Sequence, residues 1–135
     1  MNDTSAKTKS NDVYPIGKKN PNLPFYPAVR AGDFIFISGQ VPKDENGVMF
    51  EGTIEEETKH CIAAVKRALN EAGADLEDIV KATVFLSDAR DFGRYNGVFA
   101  KHFPNAALAR TTVEARAVIN TKIEIDAIAY KPEQK

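Results

Sequence analysis

Two stretches near the carboxyl end decide the fold: "ALARTTVEARAV" at 107–118 and "KIEIDAIAY" at 122–130. Both predict β-strands because β-branched and apolar residues recur in them. In the second strand Ile123 and Ile125 share one face by period two, and Glu124 points to the other. In the first strand the same alternation predicts that Val113 faces the core and that Arg110 shares the face of Glu124. The sequence therefore raises the question of why two strands hold a guanidinium and a carboxylate where burial is expected.

The preceding segments supply the rest of the sheet. "AVRAGDFIFISGQ", at 28–40, has Gly32 and Asp33 between two apolar runs, which predicts a hairpin. Its second run, at 34–37, is apolar on both faces, whereas a strand with one face in water would alternate. "DIVKATVFL", at 78–86, is β-branched and predicts a further strand.

Two helices are predicted between these strands. Thr53 begins the first, and Glu56 three residues later completes a capping box; Gly73 is a plausible stop. Asp88 is positioned to cap the second helix, whose aromatic stripe contains Phe92, Tyr95 and Phe99 and which Pro104 ends.

These elements predict one α+β domain over residues 13–131, in which a mixed sheet of about six strands carries two helices on one face. The other face is apolar along residues 34–37, and no element of the chain remains to cover it. We therefore expect a second subunit on that face.

The composition limits the classes of function. The 135 residues carry a net charge of −1, which counts against a nucleic-acid partner. No stretch approaches the roughly 18 apolar residues of a membrane span. Cys61 is the one cysteine, so we expect it in the core and expect a reducing, cytoplasmic setting. The polar residues 1–12 are predicted to form a flexible tail.

Arg110 and Glu124 have two interpretations on spacing alone. They form a structural ion pair across neighbouring strands, or they form a binding site at a subunit interface, where an arginine grips a carboxylate in two hydrogen bonds. A glutamate with a raised pKa then serves as a general acid or base. His60 and His102 lack metal-ligand spacing, so no metal site is predicted.

The motifs "FYPAVRAGDFIFISGQVP", "GADLEDIVKATVFLSDARDFGRYNGVFAKHF", "ARTTVE" and "KIEIDAIA" resemble those of the Rid family of reactive intermediate deaminases, also called the YjgF or endoribonuclease L-PSP family. The resemblance runs from about Tyr14 to Tyr130. It implies a chorismate-mutase-like subunit and a homotrimer with an inner β-barrel and clefts between subunits. It also implies hydrolysis of enamines and imines such as 2-aminoacrylate to a 2-keto acid and ammonia, with no cofactor.

The resemblance also implies roles for residues of this chain. Arg110 corresponds to the arginine that binds the substrate carboxylate, and Glu124 to the glutamate associated with the attacking water. The substrate-binding residues are completed by Ser38, Gly39, Asn96, Phe25 and Thr112. Phe25 stands where well-characterised deaminases have a tyrosine, and Thr112 stands where many members have a cysteine.

Other functions stay open at this stage. Alternatives within the family are a pathway-specific deaminase of aminomuconate or of pyrimidine breakdown, and a non-catalytic binder of small carboxylates or a chaperone-like protein. A ribonuclease or translation inhibitor fits the net charge of −1 less well, because the chain has no basic run and no histidine pair.

Overall fold

The computed structural model describes residues 12–133, in which six strands form a single sheet beside two α-helices. In chain order the elements are β1 (Val13–Ile16), β2 (Ala28–Ala31), β3 (Phe34–Gln40), α1 (Ile54–Glu71), β4 (Ile79–Leu86), α2 (Phe92–His102), β5 (Ala109–Glu114) and β6 (Ile123–Tyr130). The mixed α+β architecture predicted from the sequence is confirmed. Apart from Asp12, the predicted tail lies outside the described residues.

The strand order is β1-β2-β3-β6-β4-β5. The β2–β3 hairpin turns at Gly32, whose φ of +60° suits a residue without a Cβ. β4 pairs antiparallel with β6 and parallel with β5, and α2 makes the crossover that a parallel pair requires. β5 is therefore an edge strand, and β4 separates it from β6. Of the two interpretations of Arg110 and Glu124, the ion pair across neighbouring strands is therefore wrong.

The core lies between one face of this sheet and the two helices. It contains Ile35 and Ile37 of β3, Val84 of β4, and the alternate residues of β6 that begin with Ile123 and Ile125, all of them buried. Cys61 is fully buried on α1, as expected, and burial raises the pKa of its thiol. We call this side of the sheet the helix face and the other side the open face.

The ends of α1 follow the sequence. The Thr53 side chain accepts from the backbone N–H of Glu56, and the Glu56 carboxylate accepts from the backbone N–H of Thr53. Gly73 follows the last turn with a φ of +83°. Asp88 caps a short 3-10 turn, Ala89–Asp91, rather than α2 itself, which begins one residue later without a side-chain cap.

A buried carboxylate joins α1 to the segment that leads into β6. Glu57 is 2% exposed, and its Oε1 accepts from the backbone N–H of Lys122 at 2.9 Å and from the Thr121 hydroxyl at 3.3 Å. Its Oε2 accepts from the backbone N–H of Gly52 at 3.2 Å and lies 3.5 Å from Nζ of Lys122. Because β6 carries Glu124, Glu57 helps to fix the position of a candidate catalytic side chain.

The open face exposes large apolar side chains. Phe34, Phe36, Val113 and Tyr130 are each between 39% and 44% exposed, and Phe34 packs edge to face on Tyr130. The register places these residues on one side of the sheet. Phe34 lies opposite Tyr130 and Phe36 opposite Ile128. Val113 lies opposite Phe85, which lies opposite Glu124 on the same face of β6 as Ile128 and Tyr130. This agrees with the expected uncovered apolar surface.

Replacing Glu57 by glutamine tests its structural role. An amide nitrogen in place of one carboxylate oxygen meets a backbone N–H, so one hydrogen bond is lost at a buried site. We expect Glu57→Gln to lower the free energy of unfolding by about 1–3 kcal/mol in urea denaturation at one protein concentration. Glu55→Gln, in the same helical turn, is the control and should change it by less than about 0.5 kcal/mol. Equal effects from the two variants would contradict this account.

Candidate functional site

The predicted site residues fall into two groups on opposite faces of the sheet. Arg110 lies opposite the buried Ala82 of β4, and Thr112 lies opposite the buried Val84, so both belong to the helix face. Glu124 lies opposite Phe85, which in turn lies opposite Val113, so Glu124 belongs to the open face. The prediction that Arg110 and Glu124 share a face, and that Val113 faces the helices, is wrong.

The wrong face was predicted because the hydrophobic alternation of β5 is weak. The strand ends at Glu114, although the sequence predicted a strand to residue 118, and "ARTTVE" contains a single large apolar residue, Val113. That residue is 39% exposed on the open face. The pairing with β4, and not the polarity of the strand's own residues, sets which side chains face α2.

Aromatic rings of α2 surround Arg110. Its guanidinium carbon lies 4.8 Å from the ring centroid of Phe99, 5.0 Å from that of Tyr95 and 5.8 Å from that of Phe92. These distances are in the range of cation–π attraction. Among residues 12–133, Arg110 makes no hydrogen bond or ion pair to a protein group, so its donors are available to a ligand.

A pocket of about 220 Å³ opens beside this guanidinium. Arg110 and Asn96 supply its polar lining, and the apolar remainder comes from Phe99, Ala100, Phe103, Ala106 and Leu108. The structure therefore brings together Arg110 and Asn96, as the family resemblance implied. A cationic fork at the rim of an apolar pocket suits a small organic carboxylate.

Thr112 extends this group through a hydroxyl pair. Its Oγ1 lies 2.7 Å from the hydroxyl oxygen of Tyr95, whose side chain is fully buried. Burial raises the pKa of the Tyr95 phenol, and the Arg110 charge acts in the opposite direction. Tyr95 thus contacts Arg110 with its ring and Thr112 with its hydroxyl.

On the open face, Glu124 lies against the backbone of Gly39. A Cβ built on Gly39 would collide with Oε2 of Glu124 and would lie 3.0 Å from its Cδ. Gly39 thus leaves the space that the carboxylate occupies, at a point where the β3–β6 register shifts. The structure thus brings together Gly39 and Glu124, which the sequence analysis named as separate site residues.

Two carboxyl groups on β6 have raised pKa values. Burial is the main cause at Glu124, and the negative charge of Asp126 adds to it. Burial also raises the pKa of Asp126, although a hydrogen bond from Thr83 and the charge of Lys81 act in the opposite direction. A glutamate with a raised pKa holds its proton more strongly, which suits a group that exchanges protons with a bound reactant.

Ser38 connects β3 to the loop that carries Phe25. The Ser38 hydroxyl donates to the backbone carbonyl of Tyr26 at 2.8 Å, and the backbone N–H of Ser38 donates to the carbonyl of Pro27. This ties β3 to the loop that carries Phe25, whose side chain is 50% exposed. The Ser38 hydroxyl proton is therefore used within the subunit.

Other chemistry-bearing residues lie elsewhere. His60 stacks on Phe50, and His102 bonds the carbonyl of Val98 through Nδ1. Within residues 12–133, no three His, Cys, Asp or Glu side chains are grouped as a metal site would require. None of the helices in this part of the chain has the length and apolar character to cross a membrane.

Sequence reasoning did not find the aromatic group around Arg110, nor Asp126 or Glu57. The sequence predicts the stripe of Phe92, Tyr95 and Phe99 only as one face of the second helix, since it is the β4–β5 pairing that brings Arg110 over it. The i,i+2 spacing of Glu124 and Asp126 was a usable signal, because it places two carboxylates on one face of a strand.

The coupling between these two carboxyl groups is testable. Asp126→Asn should lower the pKa of Glu124 and leave it above the ordinary 4.5, because burial is the larger cause. Carbon-detected NMR titration of the Glu124 carboxyl measures this directly. Asp33→Asn, which removes a charge at the far end of β3, is the control and should leave the titration unchanged. An unchanged titration in Asp126→Asn would contradict the coupling.

The raised pKa of Glu124 makes the stability of the fold depend on pH. Because folding raises the pKa of Glu124, this group stabilises the fold below its unfolded pKa, and the contribution is lost as the pH rises through the folded pKa. The unfolding free energy of Asp126→Asn should therefore fall less than that of wild type when the pH rises from 4.5 to neutrality.

Comparisons with known proteins identify the family. The family model described as Endoribonuclease L-PSP matches residues 17–131. A RutC family protein of Pyrococcus abyssi is 44% identical over 82% of this chain and 89% of its own length. The protein named 3-aminoacrylate deaminase RutC of Acinetobacter baylyi is 33% identical over 87% of this chain and 95% of its own.

Solved structures agree with these matches. The crystal structure of yeast Mmf1 superimposes with a TM-score of 0.82 at 30% identity, over 88% of this chain and 98% of that one. The chain therefore belongs to the Endoribonuclease L-PSP family, which is the family of the Rid proteins.

Proposed function

We propose that the protein is a hydrolytic deaminase of small enamine and imine carboxylates of the 2-aminoacrylate type, acting in clefts between the subunits of a homotrimer. The observation that carries the proposal is Arg110, a guanidinium held by aromatic rings with its donors free beside a small pocket. Such a group is arranged to bind a ligand carboxylate in two hydrogen bonds.

The reaction needs a positioned water and no covalent nucleophile. An enamine carboxylate takes a proton on carbon and loses one from nitrogen to give the imine, whose C=N carbon is electrophilic. Water adds to that carbon, a proton moves from the new hydroxyl to nitrogen, and the C–N bond breaks to release ammonia and a 2-keto acid. Arg110 fixes the carboxylate next to the reacting carbon, and Glu124 accepts a proton from the water and returns it to the nitrogen.

The two residues act from different subunits in this proposal. Within one subunit the sheet separates Arg110, on the helix face, from Glu124, on the open face. Arg110 lies on β5, an edge strand, where another molecule has access to it. A neighbouring subunit that packs its open face towards this edge would carry Glu124 and Gly39 to the Arg110 pocket.

The open face supports the same assembly. Its exposed side chains include Phe34, Phe36, Val113 and Tyr130, and covering them removes apolar surface from water. Three copies that turn these faces inward form an inner barrel with a cleft at each junction, which is the trimer that the family resemblance implies. Burial in such an assembly would raise the pKa of Glu124 further.

The comparisons support the class of substrate. A relative that is 33% identical carries the name 3-aminoacrylate deaminase, and 3-aminoacrylate is a small enamine carboxylate. Phe25 has no hydroxyl to offer, so hydrogen bonding to the substrate falls to Arg110, Asn96 and Thr112. The reaction as written uses no cofactor.

Ammonia release from 2-aminoacrylate, generated in place by a serine dehydratase, tests the proposal. Wild type should accelerate it, and Arg110→Met, which keeps apolar contact with the rings, should lose about 100-fold or more in kcat/KM. Arg94→Ala removes an exposed cation of α2 that pairs with Asp91 and should behave as wild type.

Other results of the same experiment distinguish the alternative functions. Binding of 2-oxobutyrate by wild type without acceleration would indicate a non-catalytic carboxylate binder or an enzyme for a longer imino acid. If wild type neither binds 2-oxobutyrate nor accelerates ammonia release, the proposed function is wrong.

A further inference from the structure

A buried pair of hydroxyls lies next to Arg110. Tyr95 is fully buried, and its hydroxyl oxygen is 2.7 Å from Oγ1 of Thr112. Within the described residues, each of these hydroxyls has the other as its one hydrogen-bond partner. Two hydroxyls carry two protons, and the hydrogen bond between them uses one. The hydroxyl that keeps the other proton can donate it to a further acceptor.

Burial decides which hydroxyl donates. If Thr112 donated to Tyr95, the phenol proton would remain without an acceptor inside the protein, at the cost of a buried unsatisfied donor. Tyr95 is neutral at physiological pH, because the ordinary pKa of a phenol is 10.0 and burial raises it. Tyr95 therefore donates to Oγ1 of Thr112, and the Thr112 proton is left over.

That proton belongs to a side chain that lies near Arg110. Thr112 is only partly buried, and it follows Arg110 by two residues on the same face of β5. Successive residues on one face of a strand are roughly 6.5–7 Å apart. Tyr95 also contacts both residues, since its ring lies 5.0 Å from the guanidinium carbon of Arg110.

We propose that Tyr95 is a positioning residue, which orients the Thr112 hydroxyl as a second hydrogen-bond donor to the carboxylate that Arg110 binds. This inference rests on the proposed function only in that it needs a carboxylate ligand at Arg110. The ligand is then a 2-keto or 2-imino acid held by a cationic fork and one neutral donor. Thr112 touches the ligand, and Tyr95 acts through Thr112.

Binding of 2-oxobutyrate, followed by calorimetry, tests this inference without relying on turnover. Tyr95→Phe keeps the ring beside Arg110 and removes only the hydroxyl. We expect it to weaken binding roughly three- to ten-fold, and Thr112→Val to weaken it at least as much. Thr112→Ser retains the hydroxyl and should bind within about two-fold of wild type.

The double variant separates a positioning role from a structural one. If Tyr95 acts through Thr112, Tyr95→Phe should cost nothing further when Thr112 is already valine. Because the contact is made by the bound ground state, KM should rise in Tyr95→Phe and kcat should change little.

Three results would overturn the inference. They are unchanged binding in Tyr95→Phe, additive losses in the double variant, and failure of Thr112→Ser to restore binding. If wild type binds no 2-keto acid, the proposed carboxylate site itself is wrong. If wild type binds 2-oxobutyrate through Arg110 and the Tyr95 variants are unaffected, the site stands and only this inference falls.

Discussion

The parallel pairing of β5 with β4 is the constraint on which the site depends. It places Arg110 opposite Ala82 and thus on the face that α2 covers. A shift of the register by one residue would turn Arg110 to the open face and remove it from the rings of Phe92, Tyr95 and Phe99. Because β4 also pairs with β6, the same strand fixes Glu124 on the opposite face.

This arrangement explains how Arg110 is held without a carboxylate partner from the described part of the chain. A partner carboxylate would occupy the donors that a ligand needs, whereas aromatic faces attract the cation and leave its N–H groups free. On the other face, Glu124 is partly buried and lies near the negative charge of Asp126. Both burial and this charge raise its pKa. In the proposed mechanism the two groups are thus prepared separately, Arg110 to bind an anion and Glu124 to carry a proton.

Much of the fold was predictable from local signals. The capping box of Thr53 and Glu56, the turn at Gly32 and the strict alternation of β6 each specify their element within a few residues. The face of β5 was not predictable in this way, because its side chains carry little contrast in hydrophobicity and its neighbour in the sheet is set by long-range pairing. Candidate site residues could be named from family motifs, but their division between two faces could not be predicted.

The central claim is that Arg110 and Glu124 complete one site from two subunits. Co-expression of Arg110→Met subunits with Glu124→Gln subunits tests it most directly, by the deaminase activity of the mixed oligomers. In a cyclic assembly about a quarter of the junctions then combine an intact Arg110 with an intact Glu124, so activity should return to about a quarter of wild type although each parent is inactive. Mixed oligomers as inactive as the two parents would contradict the account.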